Sequence, residues 1–134
     1  MRLLIDTNIF LEVLLEQARA AEVRELLAKT EEHECFLSDY TLHSIGLLLF
    51  RRKQHHVFQD FVNDMLVRAG MLVLSLSVED MASVTSAAQR FGLDFDNAYQ
   101  YAAASKYDLT IVSFDSDFDR TERGKKPPME ILRA

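Results

Sequence analysis

Two aspartates follow two of the most apolar short runs in the chain. Asp6 comes directly after the aliphatic residues 3–5, and Asp115 lies just beyond the β-branched run 109–113. Both runs are typical of strands buried on two faces of a sheet. Ligands of open α/β sheets bind beyond the carboxyl ends of the strands, so the two carboxylates meet if these strands are parallel neighbours. A helix cap or a turn explains one such aspartate alone, whereas the pair favours a functional site.

A third carboxylate, Asp96, opens an alanine-containing helix that we predict to end near Tyr107. Three further acidic residues lie close to these aspartates in the sequence: Asp94, Asp117 and Asp119. Clustered carboxylates raise one another's pKa, so a positive partner is expected. Oxygen ligands select hard cations, and we predict Mg²⁺ or Mn²⁺ bound by Asp6, Asp96, Asp115 and Asp117. Such an ion activates water and neutralises charge on a phosphodiester, whereas helix capping is the alternative role of Asp96.

The elements that would position these carboxylates alternate along the chain. Strands are predicted at residues 3–5, 35–37, 71–74 and 109–113, with a short edge strand at 129–132. We expect the third of these strands to be buried. Helices or helix pairs lie between the strands, and right-handed crossovers then give a central parallel sheet covered on both faces. The predicted fold class is therefore α/β, as a three-layer α/β/α sandwich.

Length and composition fit one domain of 134 residues with enough apolar residues for a full core. The formal charge of −6 argues against nucleic-acid binding through overall charge, but it leaves room for a local basic patch. Two basic clusters could contact phosphate: Arg51, Arg52 and Lys53, and Arg120, Arg123, Lys125 and Lys126. For the first cluster, a solvated helix end that complements the helix dipole is an equally good interpretation.

The sequence also indicates the cellular compartment in which the protein is expected. Its single cysteine, Cys35, cannot form an intramolecular disulfide, which suits a reducing cytosol. The N-terminus is strand-like rather than a signal peptide, and no apolar run is long enough for a membrane span. We therefore expect a cytoplasmic protein without a membrane partner.

At its acidic motifs the sequence resembles the PIN domain family. The resemblance is carried by residues 4–8 (Leu-Ile-Asp-Thr-Asn), by Asp96 before a helix of small residues, and by residues 112–118 (Val-Ser-Phe-Asp-Ser-Asp-Phe), in that order over essentially the whole chain. Many members are VapC-type toxin ribonucleases of toxin–antitoxin pairs. The resemblance implies strand order 3-2-1-4-5, metal-dependent cleavage of RNA, and an antitoxin partner. The sequence also leaves open whether the protein forms a homodimer.

The resemblance also assigns individual residues. Asp6, Asp96 and Asp115 match the first, third and fourth acids of the family, and Asn8 and Ser113 match its polar supporting positions. One departure concerns the helix after the second strand, which usually carries a glutamate. Here Ser44 stands at that position and His43 precedes it. His43 could supply part of the lost ligation, although a lone histidine on a helix is more often structural.

Two other functions compete with a nuclease. The missing glutamate and the negative net charge favour a catalytically weak PIN-like domain that binds RNA or a protein partner without cleavage. A phosphoacceptor receiver domain also carries aspartates at strand ends. Receivers have two acids after the first strand and an acceptor aspartate after the third, whereas here Asp6 stands alone and the third strand leads to Leu76 and Ser77. The sequence therefore disfavours a receiver.

Overall fold

A parallel sheet of four short strands forms the centre of the computed structural model, which describes all 134 residues. The strands are β1 (Arg2–Ile5), β2 (Glu34–Ser38), β3 (Leu72–Leu74) and β4 (Thr110–Val112). They lie in the order β3-β2-β1-β4, and every pairing is parallel. The two strands that precede Asp6 and Asp115 are therefore direct neighbours.

Seven helices surround the sheet: α1 (Thr7–Leu14), α2 (Ala20–Leu27), α3 (Asp39–Arg51), α4 (His55–Phe61), α5 (Met81–Phe91), α6 (Phe95–Tyr107) and α7 (Pro128–Leu132). A π-helical segment, Val62–Arg68, continues α4. Single 3₁₀ turns span Thr30–Glu32, Val78–Asp80 and Ser116–Arg120. No helix combines the length and the apolar character that a membrane crossing requires.

The core lies on both faces of the sheet, because successive side chains of a strand point to opposite faces. In β1, Leu3 and Ile5 pack against α1 to α4 and α7, whereas Leu4 packs with Ile111 against α5 and α6. All three β1 side chains are fully buried. The α/β sandwich with helices on both faces is thus confirmed.

Two helix caps set the direction in which functional side chains point. Ser38 ends β2, and its Oγ accepts a hydrogen bond from the backbone N–H of Thr41 at 3.1 Å, which starts α3. Asp94 plays the same role for α6, accepting from the N–H of Asn97 at 3.1 Å. Such caps satisfy backbone donors that have no partner inside the helix.

Two strand predictions need correction. Residues 129–132 form part of α7 rather than an edge strand, because Pro128 at the first helical position has a backbone angle suited to a helix. A single bridge between Val112 and Lys126 stands where a fifth strand was expected. The strand β3 is an edge strand rather than a buried one, with Leu72 60% exposed.

Candidate functional site

The structure places Asp6 and Asp115 side by side at the carboxyl edge of the sheet. Ile5 of β1 lies opposite Val112 of β4, so both chains leave the sheet at the same level. Ser113 joins the two acids, since its Oγ donates to Asp6 Oδ2 at 2.7 Å and accepts from the backbone N–H of Asp115 at 3.0 Å. This arrangement makes a carboxylate pair at the position where α/β proteins bind ligands.

Asp6 is buried, with 6% of its surface exposed, and has no cationic partner. Its Oδ1 accepts hydrogen bonds from the N–H of Thr7 at 2.8 Å and from Gln100 Nε2 at 2.9 Å. Burial raises the pKa of Asp6; the hydrogen bonds from Gln100, Ser113 and Thr7 lower it, and the charge of Asp115 raises it further. A nearby cation would therefore stabilise the ionised form of this carboxylate.

Gln100 is a site residue that the sequence analysis missed. It is 1% exposed, and its Nε2 also lies 2.9 Å from Thr41 Oγ1, while its Oε1 accepts from Ser38 Oγ at 2.6 Å. The amide thus connects Asp6 to the first turn of α3. The available signal was a lone amide residue within an otherwise apolar, alanine-rich stretch of α6.

Asn97, rather than Asp96, is the residue of α6 that reaches Asp115. Asn97 is buried, and its Nδ2 donates to Asp115 Oδ2 at 2.9 Å, whereas Asp96 is exposed. Neighbouring residues of an α-helix point about 100° apart, so only one of the two can face the acids. Asn97 and Gln100 share one face of α6 at a spacing of three residues. The structure therefore presents an amide where the sequence predicted a carboxylate.

Asp96 and Ser44 lie instead around Tyr40, at the rim of this site. Burial raises the pKa of Tyr40; an interaction with the Ser44 side chain lowers it, and the Asp96 and Asp6 carboxylates raise it. His43 is exposed and lines a groove with apolar residues of α3 and α4, so it does not join Asp6 and Asp115. Nothing in the contacts of His43 replaces the glutamate expected at position 44.

Asn8 supports the carboxylate pair from α1. Its Nδ2 donates to Ser113 Oγ at 3.1 Å, and its Oδ1 accepts from the N–H of Phe114 at 3.2 Å. The Ser113 hydroxyl therefore donates one hydrogen bond, to Asp6, and accepts two, from Asn8 Nδ2 and from the N–H of Asp115. This network fixes the loop that carries Asp115.

The remaining predicted acids have other partners. Asp94 caps α6, while Asp117 and Asp119 form ion pairs with Arg120 and Lys125 at 3.1 and 3.3 Å. These carboxylates are therefore engaged outside the Asp6–Asp115 pair.

The two basic clusters also differ in their contacts. Arg120 donates to the backbone oxygens of Phe91 and Gly92 at 3.0 and 2.7 Å, and Arg123 donates to Leu109 O and Asp108. Lys126 hydrogen-bonds along β4 through its backbone. The first cluster, formed by Arg51, Arg52 and Lys53, is exposed and has no ion pair within the chain.

The side-chain oxygens of Asp6, Asp115 and Asn97 suit one hard cation rather than a cluster of several metal ions. No group of three or more His, Cys, Asp or Glu side chains is arranged to hold a metal ion. Asp6 and Asp115 each retain lone pairs beyond the hydrogen bonds described above, and Asn97 donates through its nitrogen, which leaves its carbonyl oxygen for a further partner. Carboxylate and amide oxygens with water are acceptable ligands of Mg²⁺ or Mn²⁺.

The chain matches the sequence model of one protein family over most of its length. The family model described as "PIN domain" matches residues 3–124. The chain belongs to the PIN domain family. PIN domains are generally nucleases that use divalent metal ions. No curated protein shows significant sequence similarity to this PIN domain.

Solved structures of toxin–antitoxin proteins share the fold of this PIN domain. VapBC2 from Rickettsia felis, bound to promoter DNA, superposes with TM-score 0.75 at 14% identity over 94% of this chain and 97% of that one. FitAcB from Neisseria gonorrhoeae gives 0.69 at 23% identity, over 95% and 98%. VapC20 from Mycobacterium tuberculosis, a sarcin-ricin loop cleaving toxin, gives 0.69 at 20% identity, over 87% and 92%. At these identities the likeness shows the fold.

Proposed function

We propose that this PIN domain is a metal-dependent endoribonuclease and the toxin of a toxin–antitoxin pair. One observation carries the proposal: Asp6 and Asp115 lie together at the carboxyl edge of β1 and β4, bridged by Ser113. Two adjacent carboxylates without a cationic partner are suited to bind a divalent ion. Family membership supports the reaction type, since phosphodiester hydrolysis by PIN domains generally depends on such ions.

Asp6 and Asp115 would hold one Mg²⁺ or Mn²⁺, with Asn97 Oδ1 close to them. When bound, the ion supplies charge neutralisation on the phosphodiester and an acidified water. Gln100 and Thr7 hold Asp6 in one orientation, and Ser113 and Asn8 hold the loop of Asp115. Asp6 Oδ1 accepts two hydrogen bonds and Oδ2 accepts one, from Ser113, so Oδ2 would have more lone-pair capacity left for an ion.

RNA contacts would come mainly from Arg51, Arg52 and Lys53. These side chains are exposed and free of ion pairs, whereas Arg120 and Arg123 bind backbone oxygens of their own chain. A local patch of this kind attracts phosphate despite the net charge of −6. Lys125 and Lys126 remain candidates for weaker contacts.

An antitoxin is the proposed protein partner, because similar folds occur in toxin–antitoxin complexes from Klebsiella pneumoniae and Neisseria gonorrhoeae. We also place the protein in the cytoplasm. Burial raises the pKa of the Cys35 thiol to about 11, which makes it an inert group suited to a reducing compartment.

A second candidate function is binding of RNA or a partner without cleavage. The observation that favours it is the pair of uncharged residues, Ser44 and Asn97, at or beside positions where acids were expected. Fewer carboxylates hold a divalent ion less tightly. The two candidates differ in whether bound RNA is cut.

Cleavage of a mixed RNA pool by the purified protein tests the proposal. We expect products with Mn²⁺ or Mg²⁺, none with EDTA, and none from Asp6→Asn. Asp108→Asn is the matched control, because its carboxylate is 91% exposed and lies outside the site. RNA that binds but stays intact under all metal conditions would exclude the nuclease and favour the second candidate.

A further inference from the structure

Phe95, the first residue of α6, exposes an aromatic ring beside the acidic site, with 58% of its surface open to solvent. One exposed apolar side chain is ordinary on a protein surface, so the position of Phe95 matters more than its exposure. The next two residues are Asp96, at the rim of the site, and Asn97, which binds Asp115 at 2.9 Å. An aromatic ring is therefore exposed in the same helical turn as a residue that contacts the acid pair.

Tyr99 supports the Phe95 ring from one turn further along α6. The two ring centroids lie 5.9 Å apart at an interplanar angle of 44°, a favourable distance for an aromatic pair. Tyr99 is buried, and its hydroxyl donates to Asp39 Oδ1 at 2.7 Å and accepts from the N–H of Leu76 at 3.0 Å. Because these bonds fix the Tyr99 ring, Phe95 rests on a rigid partner, and a ligand that contacts it has little side-chain motion to arrest.

Tyr40 extends this row of rings to the acids. Its ring centroid lies 6.3 Å from that of Tyr99. Burial raises the pKa of Tyr40, and so do the nearby carboxylates of Asp96 and Asp6. The three rings thus form a continuous path from the rim of the acidic site to the exposed face of Phe95. A polymer that is held at the acids can place a neighbouring unit on this face.

The charges around Phe95 determine which part of an RNA chain can contact it. Asp94 and Asp96 flank Phe95 in the sequence, and neither forms an ion pair within the chain. Two carboxylates at this position disfavour a phosphate group, because like charges repel. An uncharged base carries no such penalty, and its π-face can stack on the ring. Unpaired bases are the better partners, since they can be splayed out of the strand to stack on aromatic side chains.

We propose that Phe95 stacks against an unpaired base of the RNA held at the acid pair, and that this contact directs the protein to single-stranded segments. The proposal rests on the proposed function, because it takes RNA as the ligand of the acidic site. Stacking on an aromatic ring tolerates any base, so Phe95 would contribute affinity rather than sequence preference. A purely structural role differs in one respect: to stabilise the helix by contact with Tyr99 one turn away, a leucine would serve as well as a phenylalanine.

Phe95→Leu separates the two roles, because leucine keeps an apolar contact with Tyr99 but has no π-face. We expect the folded variant to bind single-stranded RNA of mixed sequence about tenfold more weakly than the wild type, and to bind a duplex of the same sequence equally well. Fluorescence anisotropy measures both affinities, with Ca²⁺ in place of Mn²⁺ and the recovered strands checked for cleavage on a gel. Equal single-strand affinities of folded Phe95→Leu and wild type would overturn the proposal and favour a protein partner for this ring.

The chain contains no tryptophan, so Phe95→Trp introduces a single fluorescent reporter at the proposed contact. Its emission should be quenched when a base stacks on the indole. Val67→Trp is the matched control, because Val67 is 70% exposed on the π-helical segment after α4 and should show no quenching. Bound RNA that leaves the Phe95→Trp emission unchanged would overturn the proposal. Cleavage with Mn²⁺ is measured separately: quenching without cleavage rejects only the nuclease, and cleavage without quenching rejects only the stacking.

Discussion

Asn97 Nδ2 lies 2.9 Å from Asp115 Oδ2, and this amide occupies the position from which a third acid would complete the site. Asn97→Asp should therefore destabilise the metal-free protein by about 1–3 kcal/mol, since it removes a buried hydrogen bond and adds a like charge. Mn²⁺ should restore that stability and shift the unfolding midpoint more than in the wild type. Denaturant unfolding with Mn²⁺ and with EDTA measures both effects. Asp96→Asn is the control at the exposed neighbour, and a larger metal response from it would place the third ligand at 96 instead.

The burial of Asp6 predicts a pH-dependent stability. Its folded-state pKa is raised above 3.8, so the folded protein binds the proton more tightly than the unfolded chain does. The contribution of Asp6 to the free energy of unfolding is therefore greatest at low pH and is lost as the pH rises through the raised pKa. Urea unfolding from neutral pH down to about pH 4 should show this trend in the wild type relative to Asp6→Asn. Parallel pH profiles of the two proteins would contradict it.

Gln100 should contribute to both stability and the site. Gln100→Leu leaves Asp6, Ser38 and Thr41 without their amide partner, and we expect a loss of about 2–4 kcal/mol in the free energy of unfolding. Gln100→Glu is the matched variant, because it keeps the shape but puts a carboxylate 2.9 Å from Asp6 Oδ1. Only the glutamate variant should gain stability from Mn²⁺ beyond the wild-type effect. Equal responses of both variants would mean that the amide has a packing role alone.

Ser44→Glu tests the helix position at which the family usually has an acid. Ser44 lies beside Tyr40 and Asp96 at the rim, so the longer side chain can reach towards Asp6. We expect Mn²⁺ to bind about tenfold more tightly, which corresponds to about 1.4 kcal/mol. Calorimetric titration measures the affinity, with Ser44→Gln as the uncharged control. Unchanged affinity in a folded Ser44→Glu protein would show that residue 44 does not serve the site.

The fold was predictable because the signals for β1 and β4 are strong and local. Both are runs of apolar residues long enough for a strand and too short for a helix, and each ends at a polar turn. Residues 129–132 carry no such signal, since a four-residue segment with three apolar residues fits the period of a strand or of a helix, and Pro128 favours the helix. The exposure of β3 depends on its place at the sheet edge, which composition does not reveal.

The carboxylate pair was predictable for the same reason, whereas the α6 contribution was not. The sequence predicts a carboxylate from α6 at Asp96, whereas the structure presents the amide of Asn97 to Asp115. The orientation of the helix depends on the cap at Asp94, which turns Asn97 and Gln100 towards Asp115 and Asp6. A one-residue error in helix phase rotates a side chain by about 100°, and sequence periodicity rarely fixes the first turn that well.

The role of Asp6 and Asp115 can be measured by a Mn²⁺ titration that follows metal binding and RNA cleavage in the same samples. We expect one ion to bind per chain, the cleavage rate to rise in parallel with its occupancy, and Asp6→Asn and Asp115→Asn to lose both. Asp108→Asn should behave as the wild type. Metal binding that persists in both site variants, or cleavage that proceeds unchanged in EDTA, would contradict the claim that Asp6 and Asp115 form the metal site of a nuclease.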